Sequence, residues 1–306
     1  NSKIYNLDKL GYASNNFSPE GCQNNNDLNG KYNLLNKDLI QKSDISKTIE
    51  HIKPDLIMHL AAESHVDRSI NNPSVFFDSN IKGTFNLLEA VRVYFDKLNI
   101  DKKNSFKFHH ISTDEVFGSL GEGDFFNEKT AYDPRSPYSA SKAASDHLVN
   151  AWNNTYKIPT LITNCSNNYG PYQFPEKLIP LTIINCLLKK DIPLYGNGLN
   201  IRDWLYVEDH AEALLTVLEK GKIGETYNIG GFNEKQNIYV VKYICSLLDD
   251  LLPDLDISYH ELITFVDDRP GHDKRYAIDS SKIKSQLGWH PRETFETGIK
   301  KTVEWY

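Results

Sequence analysis

Two short runs hold the residues whose types and spacing could do chemistry. Ser112-Thr113-Asp114-Glu115 sets two adjacent carboxylates beside a hydroxyl pair, and Tyr138-Ser139-Ala140-Ser141-Lys142 spaces a phenol and an amine four residues apart. On a helix, Tyr138 and Lys142 share a face. An ammonium beside a phenol favours the phenolate and lowers its pKa from ~10. The phenolate can then take a proton from an alcohol while a hydride leaves the same carbon. Elimination of water next to the resulting ketone needs a base for the α-proton and an acid for the departing hydroxyl. Asp114 and Glu115 can divide those roles if their surroundings push their pKa values apart. The spacing alone is weak, since Tyr5 and Lys9 share it at the end of a predicted strand where no such chemistry is expected. A surface ion-pair helix and a pair of solvated strand-end acids are the plain readings against which this one is weighed. The presence of Ser112-Thr113 upstream of the Tyr-x-x-x-Lys turn favours chemistry.

The elements that must position these groups follow from apolar patterning. Asp55 to Leu60 reads as a buried parallel strand. Asn80 to Phe95 reads as a helix, with Ile81, Phe85, Leu88, Val91 and Phe95 on one stripe. Phe106 to Ser112 and Pro159 to Asn164 read as strands, and Ser139 to Tyr156 as a helix. This alternation predicts an α/β fold, a doubly wound parallel Rossmann-type sheet. Ligands in such sheets sit at the carboxyl ends of the strands, where Thr113, Asp114 and Glu115 fall. Prolines and glycines punctuate the chain beyond Asn167, predicting a smaller α+β lobe. The expected division is 1–166 for a dinucleotide-binding domain and 167–306 for a mainly substrate-binding lobe. The chain is expected to return to the sheet around 203–231, through Trp204 to Val207 and Tyr227 to Gly230.

Composition narrows the class. The 306 residues are 40% hydrophobic and 25% charged, ordinary for a soluble globular protein. A net charge of −7 argues against a nucleic-acid or membrane-surface binder. No apolar run approaches the ~20 residues of a transmembrane helix. Cys22, Cys165, Cys186 and Cys245 form no CxxC pair, so free thiols in a reducing cytoplasm are expected. His65, His109, His110 and His272 lack metal-ligand spacing, and no metal is assigned. The asparagine patches at Asn15-Asn16 and Asn24 to Asn29 read as loop.

Asp8 ends the apolar run Ile4 to Leu7. An acid at the end of the second strand of a dinucleotide fold bonds the adenosine ribose and favours NAD over NADP. The G-x-G-x-x-G fingerprint is absent. If Asp8 ends the second strand, the first strand and its phosphate-binding turn are expected before Asn1, roughly 20–30 residues upstream. Lys177, Arg202, Lys235, Arg269 and Arg275 lie in polar or Gly/Pro-containing segments of the second lobe. Together they could hold a nucleotide diphosphate.

The chain resembles the dTDP-glucose 4,6-dehydratases of the extended short-chain dehydrogenase family. The resemblance rests on His59 to Ser69, Ser112 to Gly118, Tyr138 to Ala143, Asn164 to Tyr172, Phe174 to Pro180, Arg202 to Val207, Tyr227 to Gly231, Arg269 to Asp273 and Thr302 to Tyr306. The family continues somewhat beyond the position of Tyr306. The resemblance implies that Tyr138 is the base on a sugar 4-hydroxyl, with Lys142 on the nicotinamide ribose and Thr113 near C4. Glu115 would remove the C5 proton and Asp114 would protonate the C6 hydroxyl. Implied cofactor contacts are Asp8, Lys9, Leu10, Asp38, Leu39, Leu60, Ala61, Ala62, Ser64, Ser79, Tyr138, Lys142 and Asn168. Implied nucleotide-sugar contacts are Ser64, Thr113, Asn167, Lys177, Leu178, Pro193, Tyr195, Arg202, Asn237, Arg269 and His272. Family members are cytoplasmic homodimers, paired through a four-helix bundle that here would use Asn80 to Phe95 and Ser139 to Tyr156.

Three other readings remain open at this point. A UDP-glucose 4,6-dehydratase would use the same chemistry on another base. A nucleotide-sugar 4-epimerase shares the Tyr and Lys but has no need of the acid pair. A non-catalytic nucleotide-sugar-binding protein is favoured only by the missing phosphate turn.

Overall fold

Each apolar run of the first half forms a strand, and each amphipathic stretch a helix. The computed structural model describes residues 3–14, 31–253 and 256–306. Cys22, Asn15-Asn16 and Asn24 to Asn29 lie outside the described residues. The chain divides into two compact units, Asn1–Ile111 with Ser136–Ile162 and Ser112–Arg135 with Thr163–Tyr306.

In the first unit, β1 (Ile4–Asp8) pairs in parallel with β2 (Tyr32–Asn36), with Asp8 opposite Asn36. Helix α1 (Lys42–Ile52) precedes β3 (Leu56–His59). Short helices α2 (Val66–Asn71) and α3 (Pro73–Phe76) follow. A π-helical stretch, Phe77–Lys82, then leads into α4 (Gly83–Asp96), and α5 (Ile100–Ser105) into β4 (Lys107–Thr113). Helix α6 (Pro137–Tyr156) and β5 (Thr160–Cys165) complete the set.

The helix expected from Asn80 is thus wound differently at its start. The widened turn carries Asn80, whose side chain holds the backbone of Glu63 from both sides, through Glu63 N–H at 2.8 Å and Glu63 C=O at 3.0 Å. Such bulges mark places where local geometry serves a site. Of the predicted stripe, Leu88, Val91 and Phe95 are buried, while Ile81 and Phe85 are half-buried. The core of this unit joins Ile45 and Ile49 of α1, Leu88 and Val91 of α4, Val149 of α6, and Phe106 and Phe108 beside and within β4. Full burial of side chains this size contributes about 1.5–3 kcal/mol each. β3 and β4 are parallel, with His59 opposite His110. Strands β1 and β2 form a sheet of their own, and Ile4 and Leu56 are 44% and 45% exposed.

In the second unit, a 3₁₀ turn (Asp114–Phe117) directly continues β4. Then come β6 (Asn167–Tyr169), α7 (Leu178–Leu187), β7 (Ile192–Tyr195), β8 (Ile201–Tyr206) and α8 (Val207–Lys220). After them lie β9 (Thr226–Ile229), β10 (Glu234–Gln236), α9 (Asn237–Leu251), β11 (Ile263–Val266), α10 (Ser281–Leu287) and α11 (Phe295–Trp305). The largest sheet runs β3-β4-β5-β9, so the predicted return near Tyr227 to Gly230 is β9. Trp204 to Tyr206 instead belong to β8, central in a three-stranded sheet of order β10-β8-β6. Two polar strands flank β8, and they take its hydrogen bonds. β7 and β11 pair in parallel. The core here gathers Tyr169, Trp204, Tyr206, Val240, Ile244 and Phe295.

One close approach fixes the second unit's centre. A Cβ on Gly231 would sit 1.9 Å from the Trp204 carbonyl oxygen, whereas one on Gly121 would meet nothing within 4 Å. The Gly231 amide also donates to Asp203 Oδ2 at 2.8 Å. Gly231→Ala should therefore destabilise the protein by about 3 kcal/mol, and Gly121→Ala by less than about 0.5 kcal/mol. Urea denaturation of the two variants checks this; equal midpoints would contradict the close packing.

Candidate active site

Helix α6 opens with a reciprocal cap. Ser136 and Ser139 each bond the other's backbone, and Pro137 occupies the first turn. Tyr138 therefore lies in the first turn, where the positive end of the helix dipole favours a phenolate. Its ring is 8% exposed and meets Phe76 edge-on, with centroids 6.3 Å apart. One turn later Lys142, 4% exposed, donates from Nζ to the Ile111 carbonyl at 2.8 Å. The predicted pairing of Tyr138 with Lys142 on one helix face is what the structure contains.

The other first-unit candidates follow the carboxyl ends of strands. Asp8 ends β1 and accepts the Leu10 amide at Oδ1, 2.7 Å, while Oδ2 makes no bond to the described protein. Lys9 pairs with the Glu63 carboxylate. Asp38 Oδ1 takes the Ile40 amide at 3.1 Å, and Asn86 Nδ2 pins the loop by donating to the Leu39 carbonyl at 2.9 Å. Leu60 to Ser64 follow β3; Leu60, Ala61 and Ser64 are exposed and Ala62 is half-buried. Ser79 is half-buried in the π-helical stretch.

In the second unit, Thr113 caps the 3₁₀ turn, its Oγ1 accepting from the Glu115 amide and donating to Asp114 Oδ1, both at 3.3 Å. Asn164 Nδ2 donates to the Thr113 carbonyl at 3.1 Å. Asp114 is 1% exposed, and its Oδ2 has no partner among the described residues. Burial, then the neighbouring charges of Glu115 and Asp203, pushes its carboxyl well above the ordinary range. Glu115 is only partly covered. Burial raises its pKa too, but Arg269, Arg202 and Lys177 oppose the rise. The two acids are thus set apart in the direction the elimination chemistry requires.

The basic candidates separate into two kinds. Arg202, 5% exposed, is clamped by the Ile201 and Asp273 carbonyls at 2.8 and 2.9 Å and lies 4.2 Å from the Tyr276 ring centre. Its charge, with those of Arg269 and Lys177, acts on Glu115. Lys235 instead pairs with Glu296 at 3.2 Å, and Arg275 forks onto Glu234 at 2.7 and 2.9 Å. Those two side chains hold the fold and leave the cationic group. His272 Nδ1 lies 2.6 Å from Asp268 Oδ1, with the Tyr195 ring edge-on at 6.2 Å. Pro193 lies in β7 and Tyr195 ends it, Leu178 starts α7 beside Lys177, and Asn237 starts α9. Asn167, Asn168 and Asn237 each keep an Oδ1 without a protein partner among the described residues. Buried oxygens of this kind are fitted to an incoming donor.

Sequence reasoning gave no role to Asp273 and Tyr276. The Tyr276 hydroxyl donates to Asp273 Oδ2 at 2.6 Å, and burial, then the Glu115 charge, keeps the phenol protonated. The Arg269 to Asp273 motif was visible, but nothing in the spacing tied Tyr276 to Arg202.

Residues 2–302 match the family described as GDP-mannose 4,6 dehydratase. The chain is 58% identical over 312 residues to the dTDP-glucose 4,6-dehydratase of Salmonella typhimurium, covering 99% of this chain and 85% of that one. Its fold is similar to the dTDP-glucose 4,6-dehydratase of Bacillus anthracis in complex with NAD, with a TM-score of 0.84 and 42% identity over 99% of this chain and 87% of that one. Two structures of the Streptomyces venezuelae dTDP-glucose 4,6-dehydratase with NAD bound give TM-scores of 0.89 and 0.88 at 37% and 38% identity, each over 100% of this chain and 87% of that one. The chain belongs to the dTDP-glucose 4,6-dehydratases of the extended short-chain dehydrogenase family.

The Asp114 environment has a consequence for stability. In the unfolded chain its carboxyl titrates near ~3.9. A folded-state pKa raised above that value means that stability is lost as pH rises past the unfolded value. Asp114→Asn should therefore raise the melting temperature at neutral pH, with a gain that fades as pH falls toward about 4. Calorimetry across that range checks the sign; a lower melting temperature at neutral pH would contradict a protonated Asp114.

Proposed function

We propose that this chain dehydrates dTDP-glucose to dTDP-4-keto-6-deoxyglucose, as an NAD-dependent hydro-lyase feeding 6-deoxysugar synthesis. The Tyr138 phenolate takes the proton of the sugar 4-hydroxyl, and Lys142 and the helix N-terminus keep it acidic enough to do so. The NAD these residues would hold would supply the hydride acceptor at C4 and the donor at C6; with the proton on Glu115 returned to C5, the net reaction is loss of water. Thr113 holds the oxygen at C4. The 4-ketone acidifies the C5 proton, which the Glu115 carboxylate removes, while the protonated Asp114 gives its proton to the departing C6 hydroxyl. The observation that carries this reading is the unequal setting of the two acids: Asp114 is sealed, and Glu115 is countered by three cations.

Residues 1–166 would mainly hold the cofactor. The free oxygen of Asp8 suits a ribose diol, and Lys9, Leu10, Asp38 and Leu39 would line the adenosine end. Leu60, Ala61, Ala62, Ser64 and Ser79 would lie along NAD, with Tyr138, Lys142 and Asn168 at the nicotinamide. Residues 167–306 would mainly hold the nucleotide sugar, using Arg202, Arg269 and Lys177 for the diphosphate. Ser64, Asn167, Leu178, Pro193, Tyr195, Asn237 and His272 would complete that site.

A homodimer through α4 and α6 fits their surfaces. Phe77, Val93 and Tyr156 are 49%, 48% and 41% exposed on or beside these helices, and the Phe85 and Trp152 rings meet edge-on between them. No described helix is long and apolar enough to cross a membrane. A cytoplasmic homodimer is the proposed state.

The test incubates the full-length gene product separately with dTDP-glucose and UDP-glucose, and follows the 4-keto-6-deoxy product by NMR. Product from dTDP-glucose alone is expected. Product from UDP-glucose alone would change the base, and inversion at C4 without loss of water would make it an epimerase. Tyr138→Phe should lower kcat by about 10³-fold, and Glu115→Gln should stop exchange of the C5 proton with solvent deuterium. Full activity in either variant removes that residue's role.

A further inference from the structure

Four titratable side chains are sealed behind the Tyr138–Lys142 face, and the reaction outlined above uses only one of them. His59 is 3% exposed, His110 and Asp146 are fully buried, and Lys142 is 4% exposed. His110 Nε2 lies 3.1 Å from Asp146 Oδ1. The His59 and His110 rings lie 5.0 Å apart, and His59 Nε2 is 2.9 Å from Thr84 Oγ1. His110 adjoins Ile111, whose carbonyl holds Lys142 Nζ.

An ammonium this well covered needs a compensating charge. Burial, first, holds both imidazoles in the neutral form, with the His59 value well below its ordinary one. They cannot balance Lys142. The elements packed on α6 carry other charged groups. α2 brings Asp67 and Arg68, and the π-helical stretch brings Asp78 and Lys82, which pair at 3.7 Å. α4 brings Glu89 and Arg92, paired at 2.9 Å, and Asp96 at its exposed end, and α3 brings no charge. All of these are exposed or partly exposed, as is His147 on α6 itself. His109 of β4 is buried and Lys107 partly so. Asp146 is a fully buried carboxylate one helical turn after Lys142, on the same face of α6.

We infer that Asp146, 3.1 Å from His110, is the counter-ion that keeps Lys142 charged, and so is a positioning residue for the Tyr138–Lys142 pair. The inference rests on the catalytic reading of those two residues. Distance sets the direction of the effect. Along α6, Asp146 is about 6 Å from Lys142 and about 12 Å from Tyr138. Removing its charge acts on the ammonium more strongly than on the phenol. Lys142 then sheds its proton at lower pH, and Tyr138 loses its support there.

The test is the pH profile of kcat for wild type, Asp146→Asn and the double variant His110→Leu/Asp146→Leu. Asp146→Asn keeps shape and a hydrogen-bonding group while removing charge. Its alkaline limb should move down by about one pH unit or more, with about tenfold lower kcat near pH 9 and KM within about twofold. The apolar pair removes the imidazole together with the carboxylate, so neither is left in the core without its neighbour, and it should show the same displaced limb. It serves equally where Asp146→Asn does not fold. An alkaline limb unmoved in the folded variants overturns the inference, as does a loss equal at every pH that the apolar pair restores. Lys142→Met and Tyr138→Phe are measured alongside. If those two remain active, the catalytic reading itself fails; if they are inactive while Asp146→Asn matches wild type, only the counter-ion fails.

Discussion

The bond from Lys142 Nζ to the Ile111 carbonyl ties α6 to β4 within two residues of the strand's end. A lysine brought this far into the protein would ordinarily tend to lose its charge. Here the carbonyl takes one of its three donors, and the helix cap upstream fixes the turn that carries Tyr138. The phenol and the ammonium are therefore set by backbone on both sides, not by a mobile loop. Strand β4 then continues through Ser112 and Thr113 into the turn that carries Asp114 and Glu115.

Keeping charge in covered places has to be compensated locally, and the second unit does this by repetition. Asp203 accepts the Gly231 amide at 2.8 Å and the Asn233 amide at 2.6 Å, a buried carboxylate satisfied by backbone. Arg202, its neighbour on β8, is clamped by two carbonyls and covered by the Tyr276 ring. Tyr276 is in turn held by Asp273. The guanidinium is fixed before any ligand arrives, which lowers the ordering entropy of binding an anion. Asp203 also adds negative charge near Asp114, so one buried carboxylate helps keep the other protonated.

The fold class was legible because buried parallel strands read as short apolar runs, and Leu56–His59, Lys107–Thr113 and Thr160–Cys165 fall within a residue or so of their predicted positions. The π-helical start of α4 was not, because its cause is the Asn80 side chain reaching Glu63, a contact across seventeen residues that no local periodicity encodes. Strand β8 was assigned to the wrong sheet for a similar reason. Its apolar run declares a central strand, but which neighbours flank it depends on β6 and β10, two three-residue polar strands with no signal of their own. Among the site residues, Tyr138 with Lys142 and Asp114 with Glu115 were readable from spacing. The sorting of Arg202 from Arg275 was not, since both are arginines in polar segments and only their partners differ.

The acid pair shows why adjacency matters as much as residue type. Neighbours on a strand point to opposite faces, and neighbours on an α-helix are about 100° apart. In the 3₁₀ turn of Asp114–Phe117, with about three residues per turn, they diverge by about 120°. Asp114 is thereby turned into the protein, at 1% exposure, while Glu115 remains partly open toward the cations of the second unit. A strand end would have sent one acid to the far side of the sheet, and two acids one helical turn apart would have shared one environment. The tight turn keeps both in one short segment yet gives them unlike surroundings, so two carboxyls of similar intrinsic acidity are held with different affinities for a proton. An enzyme that only oxidises and reduces one carbon has no use for that division, which is why the turn after β4 is the feature on which the proposed dehydration depends.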